Sequence, residues 1–333
     1  MIHDVVTVGN ALVDAFMALD ERSPYVRVDG SNKELCFKYG NKIHVKSCEF
    51  MLGGNACNVG VGLSRLGLAT GFVAEIGDDD FAQKILTLLH KETLDLSHLI
   101  QAKNAASSFA VGINVGGDRT LFIDHVHREH QFNLNNLDTK WIYLTSLGEV
   151  WEHVYTDIAN KASQKQCRVA FSPGTHQLDK PYEEVKQALL QAKVLFVNKE
   201  EAMLLVKYYG QKDITDIPTL LKTLQGMGIE VISITDGGAG SFAIDKENGI
   251  YFLERFDSPI VEKTGAGDAY ATGFLAAIVS GEDVPTAMRW GVFNAASVIG
   301  QIGAEKGLLT KEKMQDMLTK NNQVYPEPVE GSS

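Results

Sequence analysis

The 333 residues predict an α/β protein: a three-layer α/β/α core around a mostly parallel central sheet, with a small separate β-sheet attached. Three observations carry this expectation. Apolar runs of strand length alternate with amphipathic helical stretches along most of the chain, which implies crossover connections and a sheet covered on both faces. Two stretches, at about 17–50 and 106–127, break that rhythm with short alternating pieces. The composition, 44% apolar and 22% charged, is that of an ordinary globular protein with chain enough for one large core. We therefore expect a single domain over 1–333, with the core at about 1–16, 51–105 and 128–322 and a frayed tail at 323–333.

The elements follow in order. Asp4–Gly9 reads as a buried strand ending in a Gly9-Asn10 turn. From about Asp20 to Phe50 the helical period is lost, and Lys33–Lys38 and Lys42–Glu49 alternate instead. Thr70–Ile76 is a strand, after which Asp78-Asp79-Asp80 opens a helix to about Lys91; three carboxylates there suit helix capping better than ligand binding. Ser107–Val115 and Arg119–His125, joined through Gly116-Gly117-Asp118, read as a hairpin. The two irregular stretches together should build a small sheet that acts as a lid.

Trp141–Thr145 and Arg168–Phe171 are strands separated by an amphipathic helix near Trp151–Ser163. Strands at Val194–Val197, Glu230–Ile234 and Ser241–Ile244 follow. Helices Ala266–Ser280 and Pro285–Ile302 close the core, Lys311–Leu318 is the final helix, and Gln323–Ser333, with Pro326 and Pro328, should fray. Ligands of such sheets bind beyond the carboxyl ends of the strands.

A formal charge of −11 argues against broad binding to nucleic acid or an anionic membrane. The amino terminus enters a strand at once without a basic or long apolar leader, and no run of about 18 apolar residues occurs, so a cytoplasmic protein is expected. The four cysteines, Cys36, Cys48, Cys57 and Cys167, lack CxxC spacing and read as free thiols. GxxxxGK[ST], a GxGxxG after the first strand, and GxSxG are all absent, which removes the usual P-loop, dinucleotide-binding and α/β-hydrolase signals. The segment His125-Val126-His127-Arg128-Glu129-His130 lacks HExxH spacing and reads as a polar hinge where the second insertion rejoins the core.

The most informative stretch is Glu262 to Leu275, where Thr264-Gly265-Ala266-Gly267-Asp268 precedes an apolar helix. Side chains that small let a phosphate approach main-chain N–H groups, and the helix start adds orphan donors and a positive dipole end. An aspartate at such an anion site is costly unless it acts as a base toward a hydroxyl attacking the phosphate. A glycine-rich helix entry with Asp268 in its first turn is the plain alternative.

Three ordered segments make the chain resemble the ribokinase-like, or PfkB-type, carbohydrate and nucleoside kinases. Gly53-Gly54-Asn55-Ala56-Cys57-Asn58-Val59-Gly60, continuing through Leu63-Ser64-Arg65-Leu66-Gly67 to Ile76-Gly77-Asp78-Asp79, is similar to the family's N-terminal signature. Asn198-Lys199-Glu200-Glu201 resembles its NxxE motif, and Thr264–Asp268 its GAGD signature. The likeness covers nearly the whole chain.

The resemblance implies an ATP-dependent kinase that moves the γ-phosphoryl group to a primary hydroxyl of a sugar, ribose or a related carbohydrate, with Asp268 as base. It places charge-stabilising N–H groups at Gly265, Ala266 and Gly267, and acceptor contacts at Asp14, Gly53, Gly54 and Asn58. Physically, a carboxylate at Asp14 can accept two hydroxyl hydrogen bonds, and the amide of Asn58 both donates and accepts; a loop cap and a helix-start residue are the plain readings of these two. Asn198 and Glu201 would organise hydrated Mg²⁺ around the ATP phosphates, with a helix start as the alternative. Thr235, Gly237 and Gly240, in Thr235-Asp236-Gly237-Gly238-Ala239-Gly240, resemble the nucleotide loop.

Two departures stand out. Glu262-Lys263-Thr264 replaces the family's common Asp-Thr-Thr, whose aspartate often belongs to a monovalent-cation loop, so it counts against K⁺ activation. The asparagine of Arg289–Asn294 is shifted relative to Gly303-Ala304, so adenine contacts are not carried over. A nucleoside kinase and a non-catalytic sugar- or nucleotide-binding protein are the rival readings. The apolar lid residues Leu35, Phe37, Tyr39, Phe109, Val111, Ile113, Leu121 and Ile123 suggest one face over the substrate and another against a second copy.

Overall fold

A computed structural model describes residues 2–29, 34–115 and 118–329. Strand β1 (His3–Val8) leads directly into β2 (Leu12–Leu19), followed by β3 (Val26–Asp29), β4 (Glu34–Phe37) and β5 (Val45–Gly53). Helix α1 (Asn55–Arg65), strand β6 (Thr70–Ile76), helix α2 (Asp80–Leu89) and strand β7 (Leu99–Gln101) come next, then the hairpin β8 (Phe109–Val115) and β9 (Asp118–Asp124). The turn expected at Gly116-Gly117 lies outside the described residues.

The remainder alternates regularly: β10 (Thr139–Leu144), α3 (Glu152–Ser163), β11 (Arg168–Phe171), α4 (Glu183–Gln191), β12 (Ala192–Asn198), α5 (Lys199–Tyr209), α6 (Ile217–Gln225) and β13 (Val231–Thr235). Strands β14 (Ser241–Ile244) and β15 (Ile250–Leu253), helices α7 (Ala266–Val279), α8 (Val284–Ile299) and α9 (Lys311–Lys320), and the short β16 (Glu327–Pro328) complete it.

Among the described residues the central sheet has ten strands in the order β16-β15-β14-β13-β12-β11-β10-β1-β6-β7, parallel from β7 to β13 and antiparallel beyond. Strand alternation sends Val6, Val8, Ile142 and Leu144 to the face covered by α3–α6. It sends Val5, Trp141, Tyr143 and Phe196 to the face covered by α1, α7, α8 and α9. Helix α2 joins α1 over Phe72, Ala74 and Ile76 of β6.

A second sheet, β5-β2-β8-β9, draws strands from both irregular stretches. It reaches further than the expected lid: Leu12–Phe16 and Met51–Gly53 belong to it, so Asp14 stands on this sheet, paired with Met51 and Ala110. The expected boundary failed because β2 is nearly continuously apolar and buried on both faces, which leaves no alternation to read. Strands β3 and β4, expected within the lid sheet, form a separate ribbon whose Val26 and Leu35 pack on Leu19, Ile113 and Val115.

The tail also differs from expectation. Glu327 and Pro328 pair with Phe252 and Tyr251 at the sheet edge, where a proline is tolerated because an edge strand keeps one side unpaired. Residues 330–333 of that expected frayed tail lie outside the described residues.

Both ends of the second insertion are tied to β6 or the turn that follows it. Asp79 caps α2 through the Ala82 N–H (2.8 Å) and also accepts from the Ser107 N–H (2.8 Å) and hydroxyl (2.7 Å). At the other end the buried Arg128 donates to the Ala106 carbonyl and faces Glu75 at 3.5 Å. Among the described residues no three His, Cys, Asp or Glu side chains converge as a metal cage. The four cysteines are free thiols, and no described helix is long and apolar enough to cross a membrane.

Candidate active site

The carboxyl ends of β1, β10, β11, β12 and β13 open into a cavity of about 570 Å³, roofed by β2, β8 and β9 of the small sheet. Asp14, Gly54, Asn58, Asn198, Glu201, Thr235, Gly265, Gly267 and Asp268 all line it. Elements more than 200 residues apart therefore converge on one space.

Asp268 lies in the first turn of α7, whose start is Gly265 in a left-handed conformation (φ +72°). A Cβ at Gly265 would come within 2.3 Å of the Ala304 Cβ, so the turn requires glycine. The Asn58 amide, from the first turns of α1, donates to Asp268 Oδ2 at 2.9 Å. Burial pushes the Asp268 carboxyl up to about 7, opposed by the Asn58 hydrogen bond and reinforced by the Glu201 charge. Asn58 Oδ1 is buried without a partner and remains an acceptor. One side chain thus fixes the carboxylate and keeps a free hydrogen-bonding atom beside it.

The first N–H groups of α7 have no acceptor within the helix. That of Ala266 makes a long contact with the Lys263 carbonyl (3.4 Å), and Ala266 does not line the cavity, which leaves Gly265, Gly267 and Asp268 as the cavity-lining residues of the turn. The Thr264 hydroxyl, also lining the cavity, is buried and unpaired.

Asp14 is pushed up to about 7, first by burial and then by the charges of Glu262, Glu305 and Asp268, with Arg119 opposing. Gly53 leaves space for it: a Cβ there would sit 2.6 Å from the Asp14 carboxylate, and Gly53 itself does not line the cavity. Gly54 adopts φ +97° with its Cβ position 2.3 Å from the Asn10 carbonyl oxygen, so the chain passes this point only as glycine.

Asn198 and Glu201 form a reciprocal capping box at the start of α5, each side chain accepting the other's N–H at 2.8 Å. That cap uses Glu201 Oε2 and Asn198 Oδ1, and both residues line the cavity. A carboxylate lining such a cavity suits a hydrated divalent cation, whose remaining ligands come from phosphate and water.

Of the glycine loop, Thr235 lines the cavity while Gly237 and Gly240 do not. Gly240 has φ +105° and a Cβ position 2.5 Å from the Leu253 carbonyl oxygen, so chain packing accounts for it. Asn294 donates to the Ala269 carbonyl (2.8 Å) and accepts from the Leu309 N–H (2.9 Å), which commits its amide to joining α7, α8 and the following loop.

The sequence reading missed Arg119, His125, Ser146, Ser172, His176 and Gln177. Gln177 is fully buried with Oε1 unpaired, and its Nε2 donates to the Leu147 carbonyl (3.1 Å). A usable signal existed, since Ser146 and Ser172 stand within two residues of the ends of β10 and β11, whose carboxyl ends face the ligand side. His125 and His176 stand 6.0 Å apart by ring centroid, and burial together with His176 holds His125 below its ordinary pKa.

A family model described as pfkB family carbohydrate kinase matches residues 5–311. The chain belongs to that family. This pfkB kinase is 25% identical to the 5-dehydro-2-deoxygluconokinase of Clostridium perfringens over 342 residues, covering 98% of this chain and 96% of that one. Its fold is similar to that of the Methanocaldococcus jannaschii nucleoside kinase (TM-score 0.77, 20% identity, 96% of this chain and 100% of that chain). The Arabidopsis thaliana ribokinase solved with ribose and ATP compares similarly (TM-score 0.76, 18% identity, 96% and 99%). The fold is ribokinase-like, and the pfkB kinase is a phosphotransferase acting on an alcohol group of a sugar.

Proposed function

We propose that this pfkB kinase transfers the γ-phosphoryl group of ATP to a primary hydroxyl of its sugar, with Asp268 as general base. The observation that carries this reading is the Asp268 carboxyl at the start of α7, held by Asn58 in the cavity that Asp14 also lines. In this reading Asp14, Gly54 and Asn58 orient the reacting CH₂OH, and its proton passes to Asp268 as the oxygen attacks in line. Donors at the glycine turn, each commonly worth about 3 kcal/mol, stabilise charge on the transferring group. Asn198 and Glu201 would hold Mg²⁺ through its waters, and the ion when bound offsets phosphate charge.

For the acceptor, ribose-type sugars and 5-dehydro-2-deoxygluconate lead, supported by the ribokinase fold and by the name of the clostridial relative. A nucleoside is the second reading, supported by the name of the methanogen's enzyme. Release of ADP over ribose, fructose, 2-keto-3-deoxygluconate, 5-dehydro-2-deoxygluconate and adenosine tests both. The expected result is one sugar well above the others. Release no faster than without acceptor, for every compound, would instead fit a binding protein.

We also propose that the outer face of the small sheet pairs with a second copy. Phe50 (46%) and Phe122 (54%) stand exposed there, while Leu121 lines the cavity on the other face and the β3–β4 ribbon covers only the Leu19 end. Sedimentation velocity at micromolar protein should show a dimer. A single monomeric species, unchanged by added sugar, would remove the idea.

A further inference from the structure

Among the described residues that line the cavity, Arg119 is the one lysine or arginine. The same cavity carries the carboxyl groups of Asp14, Glu201 and Asp268, in a chain of net charge −11. A nucleoside triphosphate entering it brings several more negative charges, and phosphoryl transfer spreads charge over the equatorial oxygens of the moving group. The permanent positive charge available from a side chain comes from the small sheet, on β9.

The placement of Arg119 is specific. Its Nε stands 3.4 Å from Glu262 Oε1, and neither atom makes a hydrogen bond in this structure. Glu262 is only 2% exposed, and its other oxygen accepts the Gly303 N–H at 2.7 Å. Two residues, Lys263 and Thr264, separate it from Gly265, so the guanidinium sits beside the segment that leads into the glycine turn. A carboxylate buried there without a cation would be strongly unfavourable. Glu262 is also a departure from the related signature, and no step of the proposed reaction uses it.

We propose that Arg119 is the cation that the small sheet brings to the transferring phosphoryl group, and that Glu262 seats it there. This rests on the phosphotransferase reading above. With Nε directed at Glu262, the planar fork presents Nη1 and Nη2, to which the described residues give no partner, in the geometry that grips two phosphoryl oxygens. The acceptor oxygen forms its bond to phosphorus, the bond to the ADP oxygen breaks, and the proton goes to Asp268. Arg119 adds no atom to that balance; it stabilises the charge. Arg119 would be a catalytic residue and Glu262 a positioning residue.

The test uses the full chain, ATP, and the best acceptor from the ADP-release panel. Arg119→Gln should lower kcat on the order of 10²-fold or more while both KM values move far less. Arg119→Lys, the conservative variant least able to disturb folding, should recover only part of that loss because a lysine lacks the fork. Glu262→Gln keeps an oxygen for Gly303 and should lower kcat by itself. The double variant Arg119→Gln/Glu262→Gln should be no slower than Arg119→Gln alone, as expected of residues acting as one unit. Millimolar guanidinium should restore part of the activity of Arg119→Ala, which a purely structural role would not allow.

Retention of more than about a third of kcat by Arg119→Gln would overturn the inference. So would a loss confined to the acceptor KM, which would make Arg119 an acceptor contact, and so would additive losses in the double variant. If the unaltered enzyme releases no ADP with any acceptor, the phosphotransferase reading fails instead, and the two failures are distinct.

Discussion

Asp268→Asn is expected to bind ATP and acceptor nearly as before while kcat falls by a factor on the order of 10² to 10⁴, the loss typical of a missing general base. The amide keeps the shape and still meets Asn58, but it cannot take the proton. Stopped-flow or steady-state assay of ADP release decides, and a variant retaining more than about a third of wild-type kcat would falsify the role. The pH dependence is an independent check. Asp268 and Asp14 are both pushed up to about 7, so kcat/KM should rise with pH through that region and level off above it.

The same shift makes a statement about stability. A carboxyl whose folded pKa lies above its unfolded value favours folding fully at low pH and loses that contribution as pH rises toward about 7. Asp268→Asn escapes the loss. It should therefore melt higher than wild type at pH 8 and no higher at pH 4, which separates a catalytic defect from a folding defect. Equal melting temperatures at both pH values would show that burial costs this carboxylate little.

Asp14→Ala should act on the acceptor and leave ATP almost untouched. Hydrogen bonds to a charged group are worth about 1.5–3 kcal/mol each, so losing two raises KM for the sugar on the order of 10²-fold or more. Part of kcat should go with it, since a misaligned hydroxyl attacks poorly. Asp14→Asn, which retains one acceptor oxygen, should fall between wild type and Asp14→Ala. A change in the ATP constant with the sugar constant unmoved would show that the cavity has been assigned the wrong way round.

Much of the fold was legible because its signals are local. Thr70–Ile76, Arg168–Phe171 and Ser241–Ile244 were read with their observed boundaries, since each is an apolar run bounded by polar or glycine-containing turns. Leu12–Leu19 was not read as a strand, because burial on both faces erased the alternation that marks a one-sided strand. In the cavity, the glycine turn and Asp268 could be found from spacing alone. That Asn58 donates to Asp268 could not, because it depends on two residues 210 positions apart, on different helices, meeting at the cavity. Arg119 was hidden similarly: in sequence it is one polar residue after a hairpin turn, and only the packing of β9 beside Glu262 gives it meaning. Gly240 carries a demand that its sequence neighbours do not show, since a Cβ there would meet the Leu253 carbonyl oxygen.

The passage of β1 directly into β2 divides the carboxylates between two bodies, Asp14 on the small sheet and Asp268 on a helix of the core. A polyol carries several hydroxyls and can offer one to each. A water molecule satisfies one or the other and has no second handle with which to be held in line. Under the proposed reaction the enzyme therefore counts the hydroxyls of its nucleophile, and the abundant small competitor is refused by that count rather than by chemistry, which guards the cell's ATP against idle cleavage.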